Sequence, residues 1–241
     1  MLNLSLRYSL YDLSINIDYM ILGICGSGGL GREVLELAHQ INAIHNIWTQ
    51  IFFVETDDYI NLYGSLKKGL TVTTLEQLLT EYGTLNIEFI IAVGEPDLRR
   101  KICDDIVERG ARLATLVHPS VHIPESTTIG SGSVVCYNSY ISCDVSIGQN
   151  VYIQPQVNVG HDTVIDNNSV ISGFVNIAGG CHIGMNTYVG LSVCIKENTT
   201  IGNDTIVGMG SVVIRDIPEG VTALGNPARP MKKNDERKVF K

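Results

Sequence analysis

The sequence predicts two folded units in series, a small α/β domain followed by a parallel β-helix, and three observations carry that prediction. A Val or Ile recurs at every sixth residue from Val117 to Val213. A short apolar run at Met20 to Cys25 leads into a glycine-rich turn and then an amphipathic stretch. The chain holds 24 glycines while only 17% of its residues are charged, the make-up of a regular, turn-rich β protein. With 241 residues, 44% of them apolar, it is long enough for one large or two modest domains with real cores.

Residues 1–19 scatter Arg7, Tyr8, Asp12 and Asp18 among leucines and isoleucines and lack the basic start and unbroken apolar run of a secretory signal. They are read as an N-terminal extension. The α/β domain is assigned to residues 20–115. Its first strand, Met20 to Cys25, meets Gly26-Ser27-Gly28-Gly29-Leu30-Gly31, and Val34, Leu35, Leu37, Ala38 and Ile41 then follow at helical spacing within 32–44. Ile51 to Val54 reads as a second strand with Glu55, Thr56, Asp57 and Asp58 at its carboxyl end. A helix is predicted near Thr74 to Tyr82, a buried strand at Phe89 to Val93 ending in Gly94, and a helix carrying Arg99, Arg100, Ile102 and Ile106. Such alternation makes a parallel sheet, and ligands of parallel sheets bind beyond the strands' carboxyl ends.

Backbone N–H groups of a glycine turn at a helix N-terminus favour phosphate. Glu55 stands 24 residues beyond Gly31, a tolerable place for a carboxylate that meets a ribose. The unit ends near residue 115, short of the second βαβ half that an NAD-binding oxidoreductase needs. A mononucleotide, such as the nucleotide end of an activated sugar, fits better; a glycine turn that serves packing alone is the alternative reading.

The β-helix is assigned to residues 116–217. Its seventeen hexad positions, Val117, Ile123, Ile129 and so on to Val213, are all Val or Ile, and four places after the first sixteen the residue is always small or β-branched. Six residues on an α-helix would smear this stripe around the surface, so one hexad is read as one flat face and three as one coil. Glycine follows the aliphatic residue at 130, 148, 160, 184, 190, 202 and 208, where a tight turn with positive φ is expected. A prism of this kind packs side by side around a threefold axis, which makes sites between subunits plausible. In the tail, 218–241, Pro218-Glu219-Gly220 and Gly225-Asn226-Pro227-Ala228-Arg229-Pro230 break the repeat and are expected to form a loop or cap over the open end.

A net charge of -8 argues against nucleic acid as a partner, because such a surface needs a basic footprint. No apolar run is long enough for a membrane span. The six cysteines form no CxxC pair and no metal-ligand spacing, so no metal is expected and reduced thiols in the cytoplasm are.

His161 lies two places after inward Val159 and therefore faces outward, where an imidazole can take a proton near neutral pH. Its neighbour Asp162 can fix the tautomer. His118 and His122 frame the first hexad and are read as junction packing, while His182, just before inward Ile183, is read as exposed. A zinc hydratase that draws ligands from His118, His122, His161 and His182 is the rival reading, provided the coils align. Cys181 holds an inward place and is read as core rather than as an acyl-carrying nucleophile.

Over about residues 20–231 these motifs resemble the bacterial sugar acetyltransferases that join a small nucleotide-binding domain to a left-handed β-helix. The likeness rests on Gly26 to Gly31 with Arg32-Glu33, on Ala92-Val93-Gly94 with Arg99, and on Val117-His118-Pro119-Ser120. It continues through Val159-Gly160-His161-Asp162, Ile177-Ala178-Gly179-Gly180 and Gly225-Asn226-Pro227-Ala228-Arg229. The resemblance implies direct transfer of acetyl from acetyl-CoA, with His161 as general base and Asp162 beside it. It implies an acetyl-CoA site with Gly179, Leu191, Gly208, Met209 and Gly210 in a groove between the prisms of a homotrimer, and a nucleotide sugar at Gly28, Gly29, Glu55 and Gly94. The acceptor it favours is a nucleotide-linked 4-amino-6-deoxy sugar of bacterial glycan precursor synthesis. Sialic acid O-acetylation and a non-catalytic nucleotide-sugar-binding protein are the alternatives. Three positions depart from the resembled pattern: Glu55-Thr56 replaces a frequent pair of aspartates, Val170 a second histidine, and Gly173 a proline.

Overall fold

The computed structural model describes residues 20–240; the extension assigned to residues 1–19 lies outside them. The α/β unit runs β1 (Met20–Cys25), α1 (Gly29–His45), β2 (Trp48–Val54), α2 (Asp57–Tyr63), β3 (Leu66–Lys67), β4 (Leu70–Thr73), α3 (Leu75–Tyr82), β5 (Ile87–Ile91), α4 (Pro96–Glu108) and β6 (Arg112–Leu113). The sheet order is β3-β4-β2-β1-β5-β6, with β1 parallel to both β2 and β5. Central strands covered on both faces must be apolar throughout, as Ile21, Leu22, Ile24, Phe89, Ile90 and Ile91 are. On one face Leu22 and Ile24 pack with Val34, Ala38 and Ile41 of α1. On the other, Ile21 and Phe89 pack with Leu78 of α3 and Cys103 and Ile106 of α4. The helix α3 begins where Thr74 and Gln77 cap each other reciprocally. The elements α2 and β3–β4, between the second strand and the third helix, were not read from the sequence.

From Leu116 to Val213 the strands are two residues long and stack in parallel at an 18-residue spacing, as in Tyr140↔Asn158 and Asn158↔Asn176. Three hexads make one coil. The every-sixth aliphatic residues from Val135 onward are buried and stack into one continuous core with the small residues of the fifth place, Val145, Val157, Val175 and Cys181 among them. Three parallel sheets therefore form three faces of a parallel β-helix.

The glycines of the repeat correct the sequence reading. Positive φ falls three places after the aliphatic residue, on Asn138, Asp144, Asn150, Asp162, Asn168, Asn186, Asn198 and Asp204 among others, and not on the glycines one place after it. Asn and Asp tolerate that left-handed conformation better than other residues with a Cβ. The glycines answer a different need: a Cβ at Gly160 would stand 2.5 Å from the backbone nitrogen of Gly179, and one at Gly190 2.7 Å from that of Met209. Successive coils approach too closely at these corners for any side chain.

One face of the prism is covered by the α/β unit. Its outward residues Leu116, Val134, Tyr152 and Val170 are buried with the α1 cluster, which explains why outward positions there are apolar. Arg99 of α4 is fully buried at this junction. Its guanidinium donates to the carbonyls of Ile91 (2.7 Å) and Val93 (3.0 Å), to the carbonyl of Asn150 (2.9 Å) and to Asn150 Oδ1 (2.7 Å). The Tyr152 ring centroid lies 5.4 Å away. Asn150 begins a ladder up one corner, passing through Asn168 and Asn186 to Asp204.

The tail is more ordered than a loop. Val221–Gly225 adds a parallel strand beside Ile206–Val207, and Ala228–Lys233 folds back on it in antiparallel register. The chain then returns to the α/β unit, where the backbone N–H groups of Val239 and Phe240 donate to the Glu95 carboxylate at 2.8 and 3.1 Å.

Candidate active site

His161 sits at the corner between the sheet of Tyr140, Asn158 and Asn176 and the sheet of Ser146, Val164 and His182. Asp162 takes the left-handed conformation there, with φ 57°, and Asp162 Oδ2 lies 2.6 Å from His161 Nδ1. A carboxylate only accepts, so Nδ1 carries the proton and Nε2 presents a lone pair. The imidazole lies over residue 179, one full coil later: a Cβ on Gly179 would be 2.6 Å from both Cε1 and Nε2. Glycine at 179 therefore makes room for the ring. Both side chains of the His161–Asp162 pair are 65% exposed, open to a reactant or to a neighbouring chain.

Leu191 and Met209, placed by the sequence reading in the same groove as Gly179, stand on a different corner. They follow His161 by 30 and 48 residues, each a whole number of 18-residue coils plus two thirds of one, which places them across the exposed face from Gly179. Both are exposed, Met209 at 74%. A Cβ on Gly208 would meet only the end of the exposed Leu224 side chain, whereas Gly210 holds a positive φ of 69° with open space around it. Gly173 shares this corner, where a Cβ would stand 3.3 Å from the Pro155 carbonyl oxygen and 3.4 Å from Leu191 Cδ2. Within one protomer the residues assigned to acetyl-CoA thus lie on two edges of one face.

The second group gathers at the carboxyl ends of β1, β2 and β5. Gly26 holds φ 105°, and a Cβ on Gly31 would collide with the Gly26 carbonyl oxygen, so the fold itself demands both. Gly28 and Gly29 are different: a Cβ on either would meet nothing within 4 Å. Packing leaves these two free of side chains without requiring it, on the side where a ligand would approach. Glu55 Oε1 accepts the Ser27 N–H at 2.6 Å, which ties the end of β2 to the glycine turn. Thr56 caps α2 by accepting from the Tyr59 N–H. At Gly94 the space is filled by Phe240, whose ring would lie 3.4 Å from a Cβ there. Reading the sequence missed Tyr59, Lys67 and Phe240, because a lysine ending a two-residue strand and aromatics without an apolar pattern around them carry no local signal.

Among the remaining histidines, His118 and His182 have side-chain partners, whereas His122, read as junction packing, is exposed. Ser120 N–H donates to His118 Nδ1 at 3.0 Å, so Nε2 bears the proton and donates to Gln40 Oε1 of α1 at 2.6 Å; burial lowers this imidazole's affinity for a second proton. His182 is exposed and meets Asp166 at 2.8 Å. Among the described residues no three His, Cys, Asp or Glu side chains come together as a metal would require. Cys181 is buried, and desolvation raises its thiol pKa, as its inward place implies. Val170, where a second histidine was looked for, is buried in the contact between the two units.

Comparison with known families decides the architecture. The PglD N-terminal domain family matches residues 22–106, and the bacterial transferase hexapeptide family (six repeats) matches residues 144–179. In these two segments the chain is similar to a PglD-type N-terminal domain and to transferase hexapeptide repeats. It is 29% identical over 136 residues to GDP-perosamine N-acetyltransferase of Escherichia coli O157:H7, covering 55% of this chain and 60% of that protein. It is 32% identical over 119 residues to UDP-N-acetylbacillosamine N-acetyltransferase of Bacillus subtilis strain 168, covering 47% and 50%. The matched chain thus spans half to three fifths of the length of these relatives. Solved structures extend the likeness further. The acetyltransferase domain of PglB from Neisseria gonorrhoeae FA1090, in complex with acetyl coenzyme A, superimposes with a TM-score of 0.80 at 29% identity, covering 88% of this chain and 100% of that one. PerB from Caulobacter crescentus, in complex with CoA and GDP-perosamine, gives 0.77 at 28% identity, covering 87% and 96%. This chain and its relatives share an N-terminal α/β unit and a parallel β-helix.

Proposed function

We propose that this protein is an acetyl-CoA-dependent N-acetyltransferase acting on the 4-amino group of a nucleotide-linked 6-deoxy sugar. The observation that carries the reading is the His161–Asp162 pair, a proton-accepting Nε2 held in one tautomer above a glycine that clears space for it. The relatives' activities and ligands, GDP-perosamine and acetyl coenzyme A among them, supply the substrate class.

The residues fit the donor. Gly179 leaves the imidazole accessible, and Leu191 and Met209 offer the exposed apolar surface that a pantetheine arm needs. Acetyl-CoA supplies an activated thioester when bound. His161 Nε2 accepts the proton of the sugar amine as its nitrogen bonds to the acyl carbon, and the Asp162 carboxylate supports the imidazolium that results. The same proton can then go to the departing thiolate, which returns His161 to its starting form. Backbone N–H groups at the corners can stabilise the intervening oxyanion. Because Gly179 and Leu191/Met209 occupy different corners, the groove is completed by the corner of an adjacent protomer, and a homotrimer closes this arrangement around a threefold axis. The nucleotide end of the substrate lies on Gly28, Gly29 and Glu55. Work of this kind belongs to bacterial glycan precursor synthesis in the cytoplasm.

The test is release of free CoA thiol from acetyl-CoA against UDP-, dTDP- and GDP-linked 4-amino sugars. His161→Ala is expected to lower kcat by ~10²-fold or more while thermal unfolding is unchanged, since the side chain is exposed. Equal turnover by the variant would remove His161 from the mechanism. Turnover of sialic acid in place of every nucleotide sugar would move the assignment to O-acetylation.

A further inference from the structure

The crevice at the carboxyl ends of β1 and β2 holds a cation that the mechanism above does not use. Lys67 is the last residue of β3, and Lys68 (φ 52°) with Gly69 (φ 80°) makes a two-residue turn into β4. Two consecutive positive-φ residues define the hairpin turn whose twist matches that of its strands, so the direction of Lys67 is set by the backbone rather than left to a loose loop. Lys67 Nζ lies 2.6 Å from Tyr59 Oη and 3.2 Å from Ser27 Oγ, and Ser27 Oγ lies 3.0 Å from Tyr59 Oη. The ammonium also stands 5.3 Å from the Tyr59 ring centroid. The hydrogen bonds from Lys67 and Ser27 hold the Tyr59 phenol below its ordinary pKa.

Among the described residues, no carboxylate lies within ion-pair distance of Lys67, although Glu55 is bonded to the same turn through Ser27 N–H. The adjoining end of α1 is bare as well. Its N-cap is Gly28, which has no side chain to accept, and its first turn contains no acid, whereas α2 and α3 are capped by Thr56 and Thr74. The N-terminus of this 17-residue helix therefore has no side-chain cap and empty space where side chains at Gly28 and Gly29 would stand, and the Lys67 ammonium, bonded to Ser27 just before it, is held by hydroxyls instead of a counter-charge.

We infer that Lys67, positioned by Tyr59 and Ser27, grips the diphosphate of the nucleotide sugar and so sets affinity through the phosphates rather than through the base. This rests on the nucleotide-sugar reading above and deepens it. A phosphoryl oxygen takes one donor position of the ammonium, while the two hydroxyls keep the lysine aimed at the turn.

The experiment is titration calorimetry of the full chain with UDP, GDP, uridine, guanosine and acetyl-CoA, using wild type, Lys67→Met, Lys67→Arg and Tyr59→Phe. Lys67→Met is expected to weaken both diphosphates by about tenfold to a hundredfold, with a shallower salt dependence, and to leave nucleosides and acetyl-CoA unchanged. Lys67→Arg should recover part of the loss, and Tyr59→Phe should cost a few-fold. Wild-type affinity for UDP and GDP in Lys67→Met, or an equal loss for the nucleosides, overturns the role of Lys67 while the nucleotide-sugar reading stands. A wild type that binds neither diphosphate overturns both.

Discussion

The α/β unit and the β-helix assemble their candidate sites in opposite ways. In the α/β unit, residues distant in sequence, Ser27, Glu55, Tyr59 and Lys67, converge at one end of a sheet, so one protomer holds the whole cluster. In the β-helix the 18-residue coil repeats every position directly above its predecessor, which spreads exposed residues along separate corners. His161 and Gly179 share one corner and Leu191 and Met209 another, with a face between them. A sheet with crossover helices makes a crevice from one chain; a prism only makes edges, and a groove needs a second edge.

Variants that cut the connection between these two regions, or alter one alone, sharpen this contrast. The largest effect is expected at Arg99, whose guanidinium is the buried link between them. Burial lowers its pKa to about 10, still well above neutrality, so it remains a cation held by backbone and side-chain oxygens of both units. Arg99→Met leaves those acceptors unsatisfied and is expected to cost ~3 kcal/mol or more. Urea unfolding should separate into two transitions; a single transition at the wild-type midpoint would show that the units are joined by their apolar contact instead.

A middle-sized effect is expected at Gly179, inside the β-helix alone. Gly179→Ala places a methyl group against the imidazole, and kcat is expected to fall on the order of 10²-fold, as displacement of a reacting group by about an ångström does. Circular dichroism and nucleotide affinity should stay as in wild type. Retained turnover would mean that the His161 ring has another productive orientation.

The smallest effect lies in the α/β unit. Burial raises the carboxyl pKa of Glu88, against the opposing pull of the Trp48 indole N–H, which donates to Glu88 Oε1 at 2.6 Å, and of the nearby Arg112 guanidinium. A carboxyl whose pKa is raised by folding adds stability below its unfolded value and loses it as pH rises through the folded one. Glu88→Gln keeps an acceptor for Trp48 without the half-buried charge. Its Tm should exceed that of wild type at pH 8 and match it at pH 4. The reverse order would show that the ionised carboxylate is the stabilising form.

Legibility in the sequence followed the range of the interaction. The β-helix was readable to the residue because its period is a property of the chain, and His161 was placed outward by counting from Val159. The glycines of the repeat were read for the wrong reason, since the distance between coils exists only once the coils stack. In the α/β unit the strands and the glycine turn were legible through local apolar runs. The helix α2 and the hairpin β3–β4 were not, because α2 buries none of its residues and the strands of that hairpin hold only two and four. The buried Arg99 was equally hidden, since an arginine on an amphipathic helix reads as a surface residue until a second unit covers it.

By itself the sequence determined the two architectures and the outward histidine, because periodicity and residue order decide which side of a strand or coil a residue takes. Only the tertiary structure decided which corners hold the candidate residues, that Gly179 clears space for an imidazole, and that Lys67 reaches the glycine turn. Those facts depend on distances between segments far apart in the chain, and such distances are set when the segments pack.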